Sequence, residues 1–566
     1  MSTHLSLVGP DTAAWLASLS GQPESDHPVV LVESGALPSL LNGLPAALNQ
    51  APPVAWPEHL PDGFHPLQLG ERWWLLCVGD VAESLAELVG TVQSVWVSAA
   101  CVPLLPAQLR VLGRLCTREA ALQLPADSVT PSVQTALADA GFAPADRKDS
   151  TDTATWHYQP RWPVTNNEAA SHPPSALVVG AGLAGAAVTL SLIERGWHVH
   201  LLDQHAEPAQ GASALPVGVM TEHLAAHDTV LCELSRIGVP LHWRELKSRI
   251  PEGHGWQAAP VANLKSVPTE SLPPLDRLLT DPALAHHLQP GGLIRPAALV
   301  QAWLAQARAS GRLTEHWNAR VAALRNTPAP RWAALDGQGH TLAEADHAVL
   351  TAAHGSLALL APHTPQPEVD LPLRPVKGQM TYGPLDGDAH APCPVRHSGV
   401  LVPRYDDATH PVAQHLWSMG STYERGLDNA EVTLASHQRN AASLQHISGP
   451  AHARLTEQAQ QGRVHDWAEV RCASLDRLPL VGPLLQHPSG GLKPSATLAT
   501  VPRLPGLWTL SALGSRGLTL SLLAAQLLSA RMAGGPWPMK RRHAEALDPA
   551  RFALRHARKA TVKAAG

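Results

Sequence analysis

Apolar and polar positions along this chain change their pattern near residue 160. Before it, "PVVLVESG" (28–35) and "WWLLCVGD" (73–80) have the density of buried strands. "VAESLAELVGTV" and "TPSVQTALADAGF" space their apolar residues for one face of a helix. From Pro160 to Ser175, "PRWPVTNNEAASHPPS" has no apolar periodicity and predicts a linker. Beyond it, "SALVVGAGLAGAAVTLSLIERGWHVHLLD" reads as strand, glycine turn, Ala/Leu-rich helix and second strand, ending at Asp203. Strand-like runs follow between about Leu371 and Asp428 ("GQMTYG", "GVLVPRY", "HLWSMGSTY"). Late in the chain, "WTLSALGSRGLTLSLLAAQLL" (508–528) is an apolar strand, a Gly-Ser-Arg-Gly turn and an apolar helix. The pattern predicts an α/β protein without internal repeats.

Composition narrows the class. A chain of 566 residues is too long for one core, which predicts about two to four domains. The apolar fraction of 45% and charged fraction of 16% are those of a soluble globular protein. No run of the length and apolarity of a membrane span appears. The N-terminus lacks a basic segment and an unbroken apolar core, against a signal peptide. The six cysteines are scattered without a CxxC, which predicts reduced thiols in a cytoplasm and no metal site. The net charge of −5 is uneven: from Lys540 to Gly566 eight Lys/Arg face Glu545 and Asp548, a local +6 on a body of about −11. Such a segment suits a polyanion, or serves as a solvated terminal helix.

The chemistry starts at Gly180-Ala181-Gly182-Leu183-Ala184-Gly185, a G-x-G-x-x-G between strand and helix. Gly180 permits the tight turn, Gly182 lets backbone approach a pyrophosphate, and Gly185 lets helix and strand pack closely. The helix N-terminus faces the phosphates with free N–H groups. Asp203, 23 residues after Gly180, stands where a carboxylate accepts ribose hydroxyls. This is a dinucleotide site, shared in outline by FAD and NAD proteins.

"QGASALPVG" after the second strand, together with the distant GSRG turn, resembles flavoproteins of the glycine-oxidase and D-amino-acid-oxidase type. "EVRCASLDRLPLVGP", "SALGSRGL", "PGGLIRPAAL", "VKGQM" and "GSTYERG", with the C-terminal "LDPARFALRHARKATVKAAG", resemble the flavin half of the MnmC family of bifunctional tRNA wobble-uridine modification enzymes. The resemblance runs from about Ser175 to Gly566. It implies bound FAD, with Gly211, Ala212, Ser213, Val321, Gly514, Ser515, Gly517 and Leu518 joining the 180–185 loop and Asp203. It implies a tRNA partner and removal of a carboxymethyl group from carboxymethylaminomethyl-uridine to leave aminomethyl-uridine. Arg471 matches the family's substrate-carboxylate arginine, and a five-donor fork suits that anion. Its alternative is an ion pair with a residue such as Asp476. Arg516, between two glycines, is expected beside the flavin or substrate, or else as a surface bridge. The chain departs at "SALPVG", where the family carries a polar stretch.

The N-terminal part resembles the family's methyltransferase half. "VVLVESGALPSLLNGL" (29–44) aligns with its S-adenosylmethionine loop, keeping Glu33 and Gly35 but not the following glycines. "VWVSAACVPLLP" (95–106) aligns with an Asp-Gly-Phe-x-Pro turn, with Ala99, Ala100 and Cys101 at the first three positions. An alanine cannot accept a hydrogen bond from an amine, so methyl transfer and S-adenosylmethionine binding are expected to be lost. The implied fold is a Rossmann-like methyltransferase remnant (1–160), a linker (161–174) and an FAD-binding Rossmann-type domain (175–540), then a basic tail (541–566). A mixed β-sheet substrate layer is inserted over about 371–465. Other readings are a fully bifunctional enzyme, a glycine/sarcosine-type amine oxidase, and a non-catalytic tRNA-binding flavoprotein. The sequence sets no oligomeric state.

Overall fold

A computed structural model describes residues 2–19, 27–53, 56–70, 72–145, 152–161, 173–327, 331–489 and 491–565. Most of the expected linker therefore lies outside the described residues. The chain forms two units, one of Met1–His172 with Gln526–Glu545, the other of Pro173–Ala525 with Ala546–Gly566.

The first unit is built on eight strands: β1 (His4–Val8), β2 (Val29–Val32), β3 (Gly63–Leu69), β4 (Arg72–Val78), β5 (Val92–Val97), β6 (Cys116–Pro125), β7 (Phe142–Pro144) and β8 (Thr153–Tyr158). Their order in the sheet is β3-β4-β2-β1-β5-β6-β8-β7. The central pairings are parallel, which explains why these strands read as continuous apolar runs: both faces are covered. One core gathers Leu5, Val29, Val95 and Leu122, the other Trp15, Leu40, Leu67 and Trp74. From β1 the order runs one way through β2 and the other way through β5. The switch point where such sheets bind ligands is therefore at the ends of β1 and β5. The turn after β2, where the sequence alignment puts the cofactor loop (29–44), is not at that switch point. The turn at the switch point is Gly9–Asp11, ahead of the Thr12–Ser18 helix that Asp11 caps. An apolar run alone does not tell one parallel strand from the next.

In the second unit, Ser175–Val179 lies between His198–Leu202 and His347–Leu350, all parallel. Arg503–Ser511 pairs parallel with His347–Leu350, so the late strand returns beside the first ones. A second sheet carries Leu373–Pro384 along the full length of His465–Ser474. It also includes His415–Gly420, Val400–Asp406, Val395–Arg396 and Val261–Asn263, so it draws strands from both sides of residues 371–465. The basic C-terminal segment is helical at Arg541–Leu547 and Arg551–Ala565. In the latter helix Phe552, Ala553 and Leu554 are buried, and Arg551 pairs with Asp476 at 2.8 Å. Arg555 reaches the same carboxylate at 3.3 Å, so part of the segment's charge is used inside the fold. All six cysteines are free and buried. Among the described residues, no helix is long and apolar enough to cross a membrane, and no His/Cys/Asp/Glu group is arranged for a metal ion.

Candidate functional site

The glycine loop folds as its spacing requires. Gly180 has φ +107°, and a Cβ there would stand 2.9 Å from the Thr351 carbonyl. A Cβ on Gly185 would overlap the Gly180 carbonyl, so helix and strand meet at a distance only glycine allows. Thr351 Oγ1 donates toward the carbonyls of Val179 and Gly180 at 2.8 and 2.9 Å, pinning the turn to the neighbouring strand. Gly182 caps the Leu183–Ile193 helix. Ser213 Oγ accepts the Leu183 N–H at 3.0 Å. The first-turn amides of Ala184 and Gly185 have no acceptor within the helix. Asp203 ends the second strand and takes the Ala181 N–H at 2.7 Å and the His205 N–H at 2.9 Å. His205 Nδ1 also lies 2.9 Å from Asp203 Oδ1; of a carboxylate's about four acceptor positions, one remains for a ribose hydroxyl.

Residues far apart in sequence gather at this loop. A Cβ on Gly517 would meet Leu183 Cδ1 at 2.9 Å, and one on Gly218 would meet Leu518 Cδ1 at 2.5 Å. The Gly517–Ala533 helix thus starts against the start of the Leu183–Ile193 helix. Gly514, at φ +55°, turns the chain there, and its N–H bonds the Cys472 carbonyl at 2.7 Å. Ser515 is exposed, as are Gly211 and Ala212. Val321 is half-buried in the core of Leu177, Trp332 and Leu350; nearby, Ala319 N–H bonds the Asp203 carbonyl at 2.8 Å. Two convergent helix N-termini, glycines at close backbone approaches and an acid at the strand end fit a dinucleotide such as FAD.

Arg471 lies on the strand paired with Leu373–Pro384. Its guanidinium lies over Gly378, where any Cβ would overlap it. It donates to Ser421 Oγ and, at 3.5 Å, to the Thr422 carbonyl. Burial holds its pKa below the usual value, opposed by nearby Tyr423. No carboxylate pairs with it among the described residues; Asp476, the alternative partner, is taken by Arg551 and Arg555. Arg516 is half-buried and donates through Nη2 to His223 Nδ1 at 2.9 Å. An arginine can only donate, so His223 carries its proton on Nε2. Burial lowers the Arg516 pKa, with Arg477 adding to it and Tyr423 opposing. Arg471 and Arg516 therefore share Tyr423 as a neighbour. Sequence reasoning missed Gly378, Ser421, Tyr423 and His223 as site residues. All four stand within "VKGQM", "GSTYERG" and "EHLAAHD" (222–228), which the sequence marks only as resemblances.

At the switch point of the first unit, Ser98 Oγ accepts the Gly9 N–H at 3.0 Å. A Cβ on Gly9 would come 2.6 Å from that of Ala100. The turns after β1 and β5 are thus in direct contact.

A family model described as FAD dependent oxidoreductase matches residues 175–531. The chain is 35% identical over 564 residues to the tRNA 5-methylaminomethyl-2-thiouridine biosynthesis bifunctional protein MnmC of Verminephrobacter eiseniae, spanning 87% of this chain and 84% of that one. The protein of the same name from Ralstonia nicotianae is 32% identical over 585 residues, with coverage of 93% and 84%. Among solved structures, glycine oxidase from Geobacillus kaustophilus aligns at 19% identity over 64% of this chain and 95% of its own, with a TM-score of 0.46.

Proposed function

From the chain's membership of the MnmC family, and of the FAD-dependent oxidoreductases over residues 175–531, we propose that its second unit oxidises a carboxymethylaminomethyl group on the wobble uridine of tRNA. The observation that carries this reading is Arg471: a half-buried guanidinium, seated over Gly378 without a carboxylate partner among the described residues. A fork of this kind binds a carboxylate bidentately and fixes the carbon beside it. Arg516, held by His223, stands at the turn where the late helix begins, and supplies positive charge next to the cofactor. First-turn amides of the Leu183–Ile193 helix bind the pyrophosphate, Asp203 binds the ribose, and amides at the start of the Gly517–Ala533 helix face the pyrimidine edge of the flavin. FAD, when bound, would take a hydride from the carbon beside the carboxylate while the nitrogen gives up its proton, so that the C–N bond becomes C=N. Water then splits the resulting imine, leaving aminomethyl-uridine and a two-carbon oxo acid.

The reading extends to the first unit, which we propose has lost methyl transfer. Two features support this. Ala99 offers no acceptor for an amine, and Gly9, Ser98 and Ala100 fill the switch-point contact with each other. The deciding experiment is anaerobic mixing with tRNA carrying the carboxymethylaminomethyl group. The flavin absorbance should bleach and the nucleoside lose two carbons. Bleaching by free glycine alone, with modified tRNA inert, would replace this reading by an amino-acid oxidase.

A further inference from the structure

The Gly218–Thr221 strand ends two residues before His223. Thr221 and His223 each hold an arginine from a distant part of the second unit. Thr221 Oγ1 accepts from Arg396 Nη1 at 2.7 Å, and His223 Nδ1 accepts from Arg516 Nη2 at 2.9 Å. Lys265 follows Leu264, whose N–H bonds the Arg396 carbonyl at 2.8 Å. Arg477 stands in the turn just beyond the Arg471 strand, exposed and at φ +64°.

Among the described residues, no carboxylate pairs with Lys265, Arg396, Arg477 or Arg516. The nearest acid in sequence, Asp476, is occupied by Arg551 and Arg555. The cations also feel one another. Burial and Arg516 lower Arg396 to about 10, and burial with Arg396 and Arg516 lowers Lys265. His223 is lowered by burial and then by Arg516, Lys265, Arg477 and Arg396, so it is neutral at pH 7. Tyr423 is 49% exposed, with the Arg425 guanidinium 5.7 Å from its ring centroid.

Four uncompensated cations exceed what one substrate carboxylate needs, since Arg471 already serves that group. An exposed ring beside them suits a nucleobase, and paired cations suit the phosphates on either side of it. We infer that Lys265, Arg396, Arg477 and Arg516 form a phosphodiester subsite for single-stranded RNA flanking the modified nucleotide, with Tyr423 as a stacking ring for a base. The inference rests on the amine-oxidation reading for the position of the nucleotide, but RNA binding tests it separately.

Two measurements decide it, on full-length FAD-bound protein. One is fluorescence anisotropy of an unmodified anticodon stem-loop RNA. The other is anaerobic flavin bleaching by the modified uridine as a free nucleoside and within a trinucleotide. Lys265→Ala with Arg477→Ala changes two exposed side chains, so the fold survives. The double variant should weaken stem-loop binding about tenfold or more. Its log–log salt slope should fall by roughly 0.7 for each single-strand phosphate that the variant no longer neutralises. The wild-type preference for trinucleotide over nucleoside should shrink with it, while Tyr423→Ala weakens RNA binding with its salt slope kept. Unchanged stem-loop affinity and salt slope in the double variant would overturn the subsite. Wild-type flavin that neither substrate bleaches, with salt-sensitive RNA binding still abolished in the double variant, would overturn the oxidation reading and leave the RNA subsite supported.

Discussion

The seat of Arg471 is made by a residue with no side chain. Because Gly378 leaves the guanidinium its space, Gly378→Ala forces the guanidinium out while leaving every donor of the arginine in the sequence. Turnover of modified tRNA should fall in that variant with FAD still bound. Arg471→Ala should cost about 2–5 kcal/mol of transition-state binding, the usual penalty for a buried carboxylate left unpaired. Arg471→Lys should recover little, because the fork is lost. Steady-state kinetics on modified tRNA checks all three, and an alanine variant with wild-type kcat/KM would remove Arg471 from the substrate site. A second residue-scale expectation concerns His242. Its ring donates from Nδ1 to the Gly238 carbonyl at 2.9 Å and accepts on Nε2 from Ser521 Oγ at 3.2 Å. Burial lowers its pKa to about 4. The folded state therefore binds this proton less readily than the unfolded chain, whose histidines titrate near 6.5. The stabilisation is complete above about pH 6.5 and is lost as pH falls toward about 4, by on the order of 3 kcal/mol. Denaturant melts at pH 7 and 5 should show this loss, and His242→Gln should reduce it.

At the scale of elements, the proposed cofactor site is two helix starts pressed together, and its glycines are not equivalent. A Cβ on Gly185 runs into backbone, whereas one on Gly182 meets the Ser213 hydroxyl at 3.0 Å, a side chain able to turn away. Gly185→Ala should therefore lower the melting temperature and lose FAD together. Gly182→Val should give folded but colourless protein, since only the approach to the pyrophosphate is blocked. Circular dichroism with the visible flavin spectrum separates the two outcomes. The same contrast explains what the sequence shows. The turn and helix at 180–193 are local, so spacing alone reveals them. So does Asp203, because a strand–helix–strand unit has a nearly fixed length. The Thr221–Arg396 and His223–Arg516 pairs join residues 175 and 293 apart, and no periodicity records such a meeting. In the N-terminal unit, neighbouring parallel strands carry the same apolar code. That code places the cofactor loop after β2 as readily as after β1, and only the sheet order separates them.

At the scale of the whole chain, the two units are not consecutive pieces of sequence. Residues 526–545 begin within the Gly517–Ala533 helix, whose first residues belong to the second unit, and themselves belong to the first. There the Trp537 N–H bonds the Val89 carbonyl at 2.9 Å, the Arg542 N–H bonds Glu87 Oε2 at 3.1 Å, and Thr91 Oγ1 bonds the Gly534 carbonyl at 3.3 Å. Gly90 has φ +149°, and a Cβ on it would stand 2.8 Å from Pro536 Cα, so this backbone approach is as tight as that at Gly180 in the cofactor loop. Leu527, Leu528 and Met539, within this segment, are fully buried. The expected linker at 161–174 is thus a misleading place to divide the sequence. A fragment ending at residue 172 lacks a segment its own unit packs around, and a fragment starting at 173 carries that segment without its covering. Burying a leucine or methionine is worth about 1.5–3 kcal/mol, and small domains have only about 5–15 kcal/mol to lose. Expressed alone, 1–172 should unfold at lower denaturant than the full chain, and 173–566 should aggregate or bind a hydrophobic dye. Co-expression of the two should restore both. Cleaving the linker in the intact protein should leave melting, flavin and tRNA oxidation as they were. A stable, monomeric 173–566 fragment that does not bind the dye would show that 526–545 needs no partner segment from the N-terminal sequence.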